Sequence, residues 1–272
     1  MPTIEGNKWY WGEEYEWPQH GNEWSEPWGT TSMQWHVSIL SRVSMCLPAS
    51  TILEIAPGFG RWTHFLKEVC DHLIAVDLAQ KCVAHCRERF RDHPHISCYV
   101  NDGLSLPMIS DASIDFAFSY DSLVHAERDV LDSYIRELAR TLKPEGVAFI
   151  HHSNLGEYPL LNKVTGVEDH HNRAASVTAE VVAQCCERNG LHCVVQEKVN
   201  WCTRRTLIDC FSTIVRQGAG WSSKRQVIRN ERFMEEAELA RRLSRSYSWL
   251  QRSEEDAGSD RSDNRESGQM QC

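Results

Sequence analysis

Apolar and polar positions fall into a regular pattern from residue 51 onward. The largely apolar run TILEIA (51–56) predicts a buried strand. A glycine-rich turn follows it, then a helix from Gly60 with Trp62, Phe65, Leu66 and Val69 on one face. LIAVD (73–77) predicts a second strand, and the helix after it carries Ala79, Cys82, Val83, Cys86 and Phe90 at helical spacing. ISCYV (96–100) and IDFAFSY (114–120) read as the third and fourth strands. Leu131, Tyr134, Ile135, Leu138 and Leu142 mark a helix across 127–142, LKPEG (142–146) a turn, and GVAFIHHS (146–153) a fifth strand.

Strands alternating with helices imply a parallel sheet covered on both faces. The ending differs. A helix beginning near Thr178, with Glu180 in its first turn and an Asn189-Gly190 stop, leads to HCVVQEKVNW (192–201) and LIDCFSTIVR (207–216). No helix separates those two runs, so they should pair antiparallel. Phe233, Ala237, Ala240, Leu243, Tyr247 and Leu250 mark a last helix at about 230–250. The expected fold over residues 37–250 is an α/β, doubly wound, mostly parallel seven-stranded sheet with an antiparallel terminal hairpin.

The two ends of the chain stand outside this pattern. In residues 1–36, Trp9, Trp11, Trp17, Trp24, Trp28 and Trp35 are spread among acidic residues, glycine and proline without a period. Such a stretch is too aromatic for a disordered tail. It is expected to be an arm that packs on the domain or a lid that closes over cofactor or substrate. Residues 251–272 carry almost no apolar side chains and are expected to be a disordered acidic tail.

Composition narrows the partners. A net charge of −9 argues against a broad phosphate-binding surface, so no nucleic-acid partner is expected. No run of 18 apolar residues and no signal-peptide profile occurs, which leads to the expectation of a cytoplasmic protein without a membrane partner. The eleven cysteines sit inside apparent strands and helices without paired CxxC spacing, and are read as reduced, buried thiols rather than metal ligands. A homodimer is left open.

The chemistry concentrates at strand ends. Glu54-x-Ala56-x-Gly58-x-Gly60 forms a strand–turn–helix unit whose glycines allow close approach of a ligand, and whose helix start offers free N–H groups to a carboxylate. Glu54 can accept from an ammonium group. Asp77, with Leu78 beside it, is placed to accept two ribose hydroxyls. At Asn101-Asp102-Gly103 a carboxylate can take an adenine amino group, and the Gly103 N–H can face a ring nitrogen.

Residues 51–154 resemble the core of the class I S-adenosylmethionine (SAM)-dependent methyltransferases. LEIAPGFGRW is similar to the family's first motif, AVD to its ribose-binding acid and NDG to its adenine contact. DFAFSYDSLVH resembles the fourth-strand motif facing the transferred methyl, which adds Ser119 and Tyr120 to the implied SAM contacts. LKPEGVAFI is similar to the stretch before the fifth strand. Ala56 stands where the family usually has glycine. A dinucleotide-binding domain is the rival reading, but Thr63 occupies its third glycine position. A SAM-binding protein that does not methylate is a second rival.

Methyl transfer to oxygen or nitrogen needs proximity and a group to take a proton. His125, just beyond strand four, and His152, near the end of strand five, are the candidate bases. Asp121, His151, Trp28 in the arm, and Tyr158 and His171 in the insert 155–175 are expected to contact the acceptor. Glu168, Asp169, His170 and His171 form the one carboxylate–histidine cluster, read as a solvated loop, so no metal is expected. The expected activity is SAM-dependent methylation of a small-molecule acceptor, a hydroxyl of a sugar or natural-product intermediate being favoured over an amine.

Overall fold

The computed structural model of the chain describes residues 2–159, 172–203, 206–220 and 224–248. The alternating strands and helices build one sheet: β1 (Ala49–Ile55), β2 (Cys70–Asp77), β3 (Ile96–Val100), β4 (Ile114–Ser119), β5 (Leu142–Ser153), β6 (Leu191–Val199), β7 (Asp209–Arg216) and β8 (Gln226–Asn230). Their spatial order is β3-β2-β1-β4-β5-β7-β6-β8. β1 to β5 pair in parallel, and β7 runs antiparallel to both β5 and β6. This is the doubly wound sheet with its terminal hairpin, but it has eight strands rather than seven. The extra strand, β8, lies parallel to the outer edge of β6. Four of its five side chains are exposed, so no buried apolar run marks it in the sequence.

Strand alternation sets the two apolar layers. Ile52, Phe116, Phe118, Val147 and Phe149 point to one face; Leu53, Ile55, Ala117, Ala148 and Ile150 point to the other. The helices α1 (Gln80–Arg89), α2 (Arg128–Thr141) and α3 (Ala179–Arg188) follow the predicted spacing closely. α2 and α3 cover the second face with Leu131, Ile135, Leu138 and Val182. The first face is covered by α4 (Phe233–Ser248) and by the N-terminal segment, whose Trp28, Trp35, Ile39 and Val43 are buried in that layer. The tryptophan-rich stretch is therefore partly core.

Two local expectations change. The helix after the first motif is a single turn, Thr63–Leu66, because the chain must already enter β2 at Cys70. Residues 142–146, read as a turn, belong to a β5 that begins early, with a register irregularity against β4. The ten cysteines among the described residues are free thiols, seven of them buried. Residues 251–272 lie outside the described residues.

Candidate active site

The carboxyl ends of β1 to β4 open onto one cavity of about 350 Å³. Its first half is made by backbone. After β1 the chain turns through Ala56 and Gly58, both at φ 57°, and Gly60 at φ 82°. The Ala56 N–H bonds to the Val76 carbonyl at 2.7 Å, which holds the turn against β2. Asp77, at the end of β2, is buried and accepts from the N–H groups of Gly58 (3.0 Å) and Ala79 (2.8 Å). Burial pushes its carboxyl up to about 6, against the lowering effect of those N–H donors. Gly103, at φ 80°, keeps space free beside Leu78: a Cβ there would lie 3.3 Å from Leu78 and Ile4. Ala56, Gly58, Asp77, Leu78 and Gly103 all line the cavity.

Tyr120 lines it as well, but Glu54, Gly60, Asn101, Asp102 and Ser119, also assigned to the cofactor, do not. Glu54 is buried, accepts from the Thr63 hydroxyl at 2.5 Å, and keeps its second oxygen unpartnered. Burial raises its carboxyl to about 7. Gly60 is needed for a different close approach, since a Cβ there would sit 2.5 Å from the Phe90 ring. Asn101 bonds Tyr134 at 2.9 Å and the Ser105 carbonyl, and Asp102 folds onto its own loop, accepting from Leu104 and Ser105. The Asp102 carboxylate thus has local donors of its own. Ser119 is fully buried.

The second half is made by side chains. Tyr120 and Asp121 follow β4 on the cavity wall. Asp121, at φ 61°, binds Arg61 at 2.8 Å, and its N–H donates to His151 Nδ1 at 3.1 Å. A nitrogen that accepts from an amide carries no proton, so His151 Nε2 is the protonated one and donates to Asp209 at 3.1 Å. Asp209 is held by Arg173 at 2.7 and 2.8 Å, and this pairing keeps its carboxyl below the ordinary range in spite of burial. His151 is fully buried, so the residue expected to touch the acceptor instead holds the loop that carries Asp121.

His125 lines the cavity; His152 does not. The His125 Nδ1 lies 3.2 Å from the Asn172 carbonyl, which can only accept, so Nε2 keeps its lone pair. Burial, reinforced by Arg173, lowers His125 to about 4, so it is neutral at neutral pH. His152 is fully buried between the Ser153 carbonyl and the Ser212 hydroxyl. It belongs to the packing of a strand covered on both faces. Trp28 packs between Trp201 (5.1 Å) and Phe233 (5.7 Å), and Tyr158 accepts from the Leu207 N–H. Neither lines the cavity. His171 and the Glu168–His171 cluster lie outside the described residues. Among the described residues no group of histidine, cysteine and carboxylate side chains could hold a metal ion.

The roof comes from the N-terminal segment. Ile4, Tyr10, Trp11, Trp17, Glu23 and Trp24 close the cavity. Asn7 donates to the His125 carbonyl at 2.8 Å, and Trp17 stacks on Phe59 with ring centres 4.8 Å apart. Trp17 also rests on Gly58, where a Cβ would meet its ring at 2.5 Å. The sequence reading missed Arg61, Arg173 and Asp209. Arg61 sits directly after the Gly60 of the motif, which was the one available signal.

The model of a methyltransferase domain family matches residues 52–146, the span from β1 into β5 that forms the cavity floor. The chain carries a class I SAM-dependent methyltransferase domain. That domain is 31% identical over 152 residues to the biotin biosynthesis bifunctional protein BioHC of Cellvibrio japonicus, covering 54% of this chain and 29% of the relative. It is 30% identical over 105 residues to phosphoethanolamine N-methyltransferase 1 of Triticum aestivum, covering 38% of this chain and 21% of the relative. The chain thus spans less than a third of the length of either. A Pyrococcus horikoshii protein shares the fold, with a TM-score of 0.54 at 17% identity over 77% of this chain and 96% of that one. The methyltransferase domain's cavity offers its family's cofactor the carboxylate oxygens of Asp77, with Gly58 and Gly103 bringing bare backbone to the same wall.

Proposed function

We propose that this protein transfers the methyl group of SAM to a small-molecule acceptor bound under the N-terminal roof. One observation carries the reading: a single cavity, roofed by the N-terminal segment, joins the Asp77–Gly58–Gly103 end to the His125–Asp121–Tyr120 end. Bound SAM supplies an electrophilic methyl; the chain's residues bind, orient and exclude water. Asp77 would take the ribose hydroxyls on the lone pairs that its two N–H donors leave free, while the Ala56 and Gly58 N–H groups stay bonded to Val76 and Asp77. Arg61 and His151 fix Asp121, which orients the acceptor. His125 Nε2 takes the acceptor's proton, and its low affinity for protons keeps that lone pair available at neutral pH.

A hydroxyl is the favoured acceptor group, now on the evidence of His125 alone. One observation favours an amine: a Glu23 oxygen is buried without a partner beside Tyr10, Trp11 and Trp24, and carboxylate and ring faces together attract a cation. Closure by the roof favours small molecules over nucleic acid. Among the described residues no helix is long and apolar enough to cross a membrane, and we place the reaction in the cytoplasm. Pairing of two copies is compatible with this reading. The test is incubation with methyl-labelled SAM and panels of hydroxylated and amine acceptors, with the product's methylated atom read by mass spectrometry and NMR. Label that stays on SAM with every acceptor would leave a SAM-binding protein that does not methylate.

A further inference from the structure

A second cavity, about 530 Å³, lies against the first and shares Glu23, Glu26 and Arg61 with it. Its lining residues are mostly of polar type, although the exposed wall is as much carbon as nitrogen and oxygen. Asn22, Thr31, Ser32 and Arg89 contribute amide, hydroxyl and guanidinium groups, and Phe65 a ring. Thr31 donates to the Asn22 amide oxygen at 2.9 Å, which leaves the Asn22 NH2 group as a donor.

Arg61 stands between the two cavities, only 7% exposed. One of its terminal nitrogens holds Asp121 in the cofactor cavity, while the other, Nη1, is buried without a partner. A buried guanidinium donor left unmade is costly, and a ligand oxygen would satisfy it. The neighbouring carboxylates Glu23 and Glu26 repel a phosphate and accept from hydroxyls. Donors and acceptors interleaved along a groove suit a run of vicinal hydroxyls, and a ring suits the C–H face of a sugar. A lone cation would need neither.

We infer that this groove is a carbohydrate subsite, holding a polyhydroxylated acceptor so that one of its hydroxyls enters the cofactor cavity past Arg61. The inference rests on the methyl-transfer reading and goes beyond it by naming the acceptor class and where it is held.

The test uses the full chain saturated with S-adenosylhomocysteine. Methyl hexopyranosides, a hexuronate and, as controls, simple amines are titrated in by saturation-transfer NMR. At least one sugar should bind. The double substitution Asn22→Ala/Thr31→Val removes both ends of one hydrogen bond together, and should weaken sugar binding about tenfold. Affinity for S-adenosylhomocysteine should stay within about twofold, since neither residue lines that cavity. Glu26→Gln, at an exposed position, is the second variant and should weaken the same sugar. Sugar binding indifferent to both variants overturns the assignment, as does binding of amines alone or of nothing. Failure of the wild type to bind S-adenosylhomocysteine at all would instead remove the methyl-transfer reading beneath it.

Discussion

The two ends of the cavity are built by different means. At the cofactor end the wall is backbone: a turn at positive φ, two N–H groups on Asp77, and a glycine that leaves room. At the acceptor end it is a chain of buried charges and imidazoles, from Arg61 through Asp121 and His151 to Asp209 and Arg173. The first kind of wall needs a few residue types within a short stretch. The second joins side chains separated by 60, 30, 58 and 36 positions, so no local pattern announces it. A fold can therefore keep one cofactor while its acceptor end changes.

The largest effect should come from the backbone end. Asp77→Ala should weaken SAM binding by at least about 100-fold, because two charge-assisted hydrogen bonds of about 1.5–3 kcal/mol each are lost. It also strands the N–H groups of Gly58 and Ala79. The carboxylate is the accepting form and its pKa is raised to about 6, so wild-type affinity should fall as pH drops through 6. Calorimetric titration across that range checks both. Wild-type affinity in the variant would move the ribose site elsewhere.

At the acceptor end, His125→Ala should lower turnover about 10²–10⁴-fold while SAM affinity barely moves. Since His125 titrates near 4, it should add no inflection to the turnover profile at pH 5–7. The loss should shrink at high pH, where the acceptor ionises unaided. Retention of wild-type turnover would leave proximity as the whole mechanism, since His152 is fully buried in the strand packing.

The same contrast explains what could be read from the sequence. Seven strands and four helices were legible because their apolar spacing reports burial directly. β8 was not, because its side chains face solvent. The sequence reads Gly60 as a glycine that admits a ligand, whereas what it accommodates is the ring of Phe90, thirty residues away. His152 is singled out by its nearness to the end of β5; yet both faces of that strand are covered, and His151 and His152 are equally buried. His125 was found because it lies just past a strand end, where ligands bind in open sheets. Arg173 and Asp209 carried no signal.

The roof belongs to neither end, and deletion should separate its two parts. Removing residues 2–20 takes away Ile4, Asn7, Trp11 and Trp17, which close the cavity but contribute no fully buried side chain. SAM affinity should fall, by about tenfold if a few roof contacts of about 1.4 kcal/mol in total are lost, with little change in melting temperature. Removing residues 1–36 also strips Trp28 and Trp35 from the core, each worth about 3–5 kcal/mol when truncated, and should prevent folding. If the shorter deletion kept full SAM affinity, the segment would be packing and not a lid.

The smallest effect tests the one departure in the turn itself. Ala56 adopts φ 57°, a left-handed conformation that costs a residue with a Cβ about 1–2 kcal/mol. Glycine pays no such steric penalty but loses more entropy on folding, by about 0.5–1 kcal/mol. The methyl of Ala56 is only partly buried against the apolar layer, so it returns less than the roughly 0.8 kcal/mol of a fully buried carbon. These terms nearly cancel, with the conformational strain slightly ahead. Ala56→Gly should therefore stabilise the protein by a few tenths of a kcal/mol, about a degree in melting temperature at this size. SAM affinity should be unchanged, because the Ala56 N–H still bonds Val76 and the Ser122 hydroxyl still bonds its carbonyl. A clear loss of stability would show that the methyl packs better than its partial exposure suggests. A gain in affinity would show that Ala56, and not the arm, limits how closely the ligand approaches the turn.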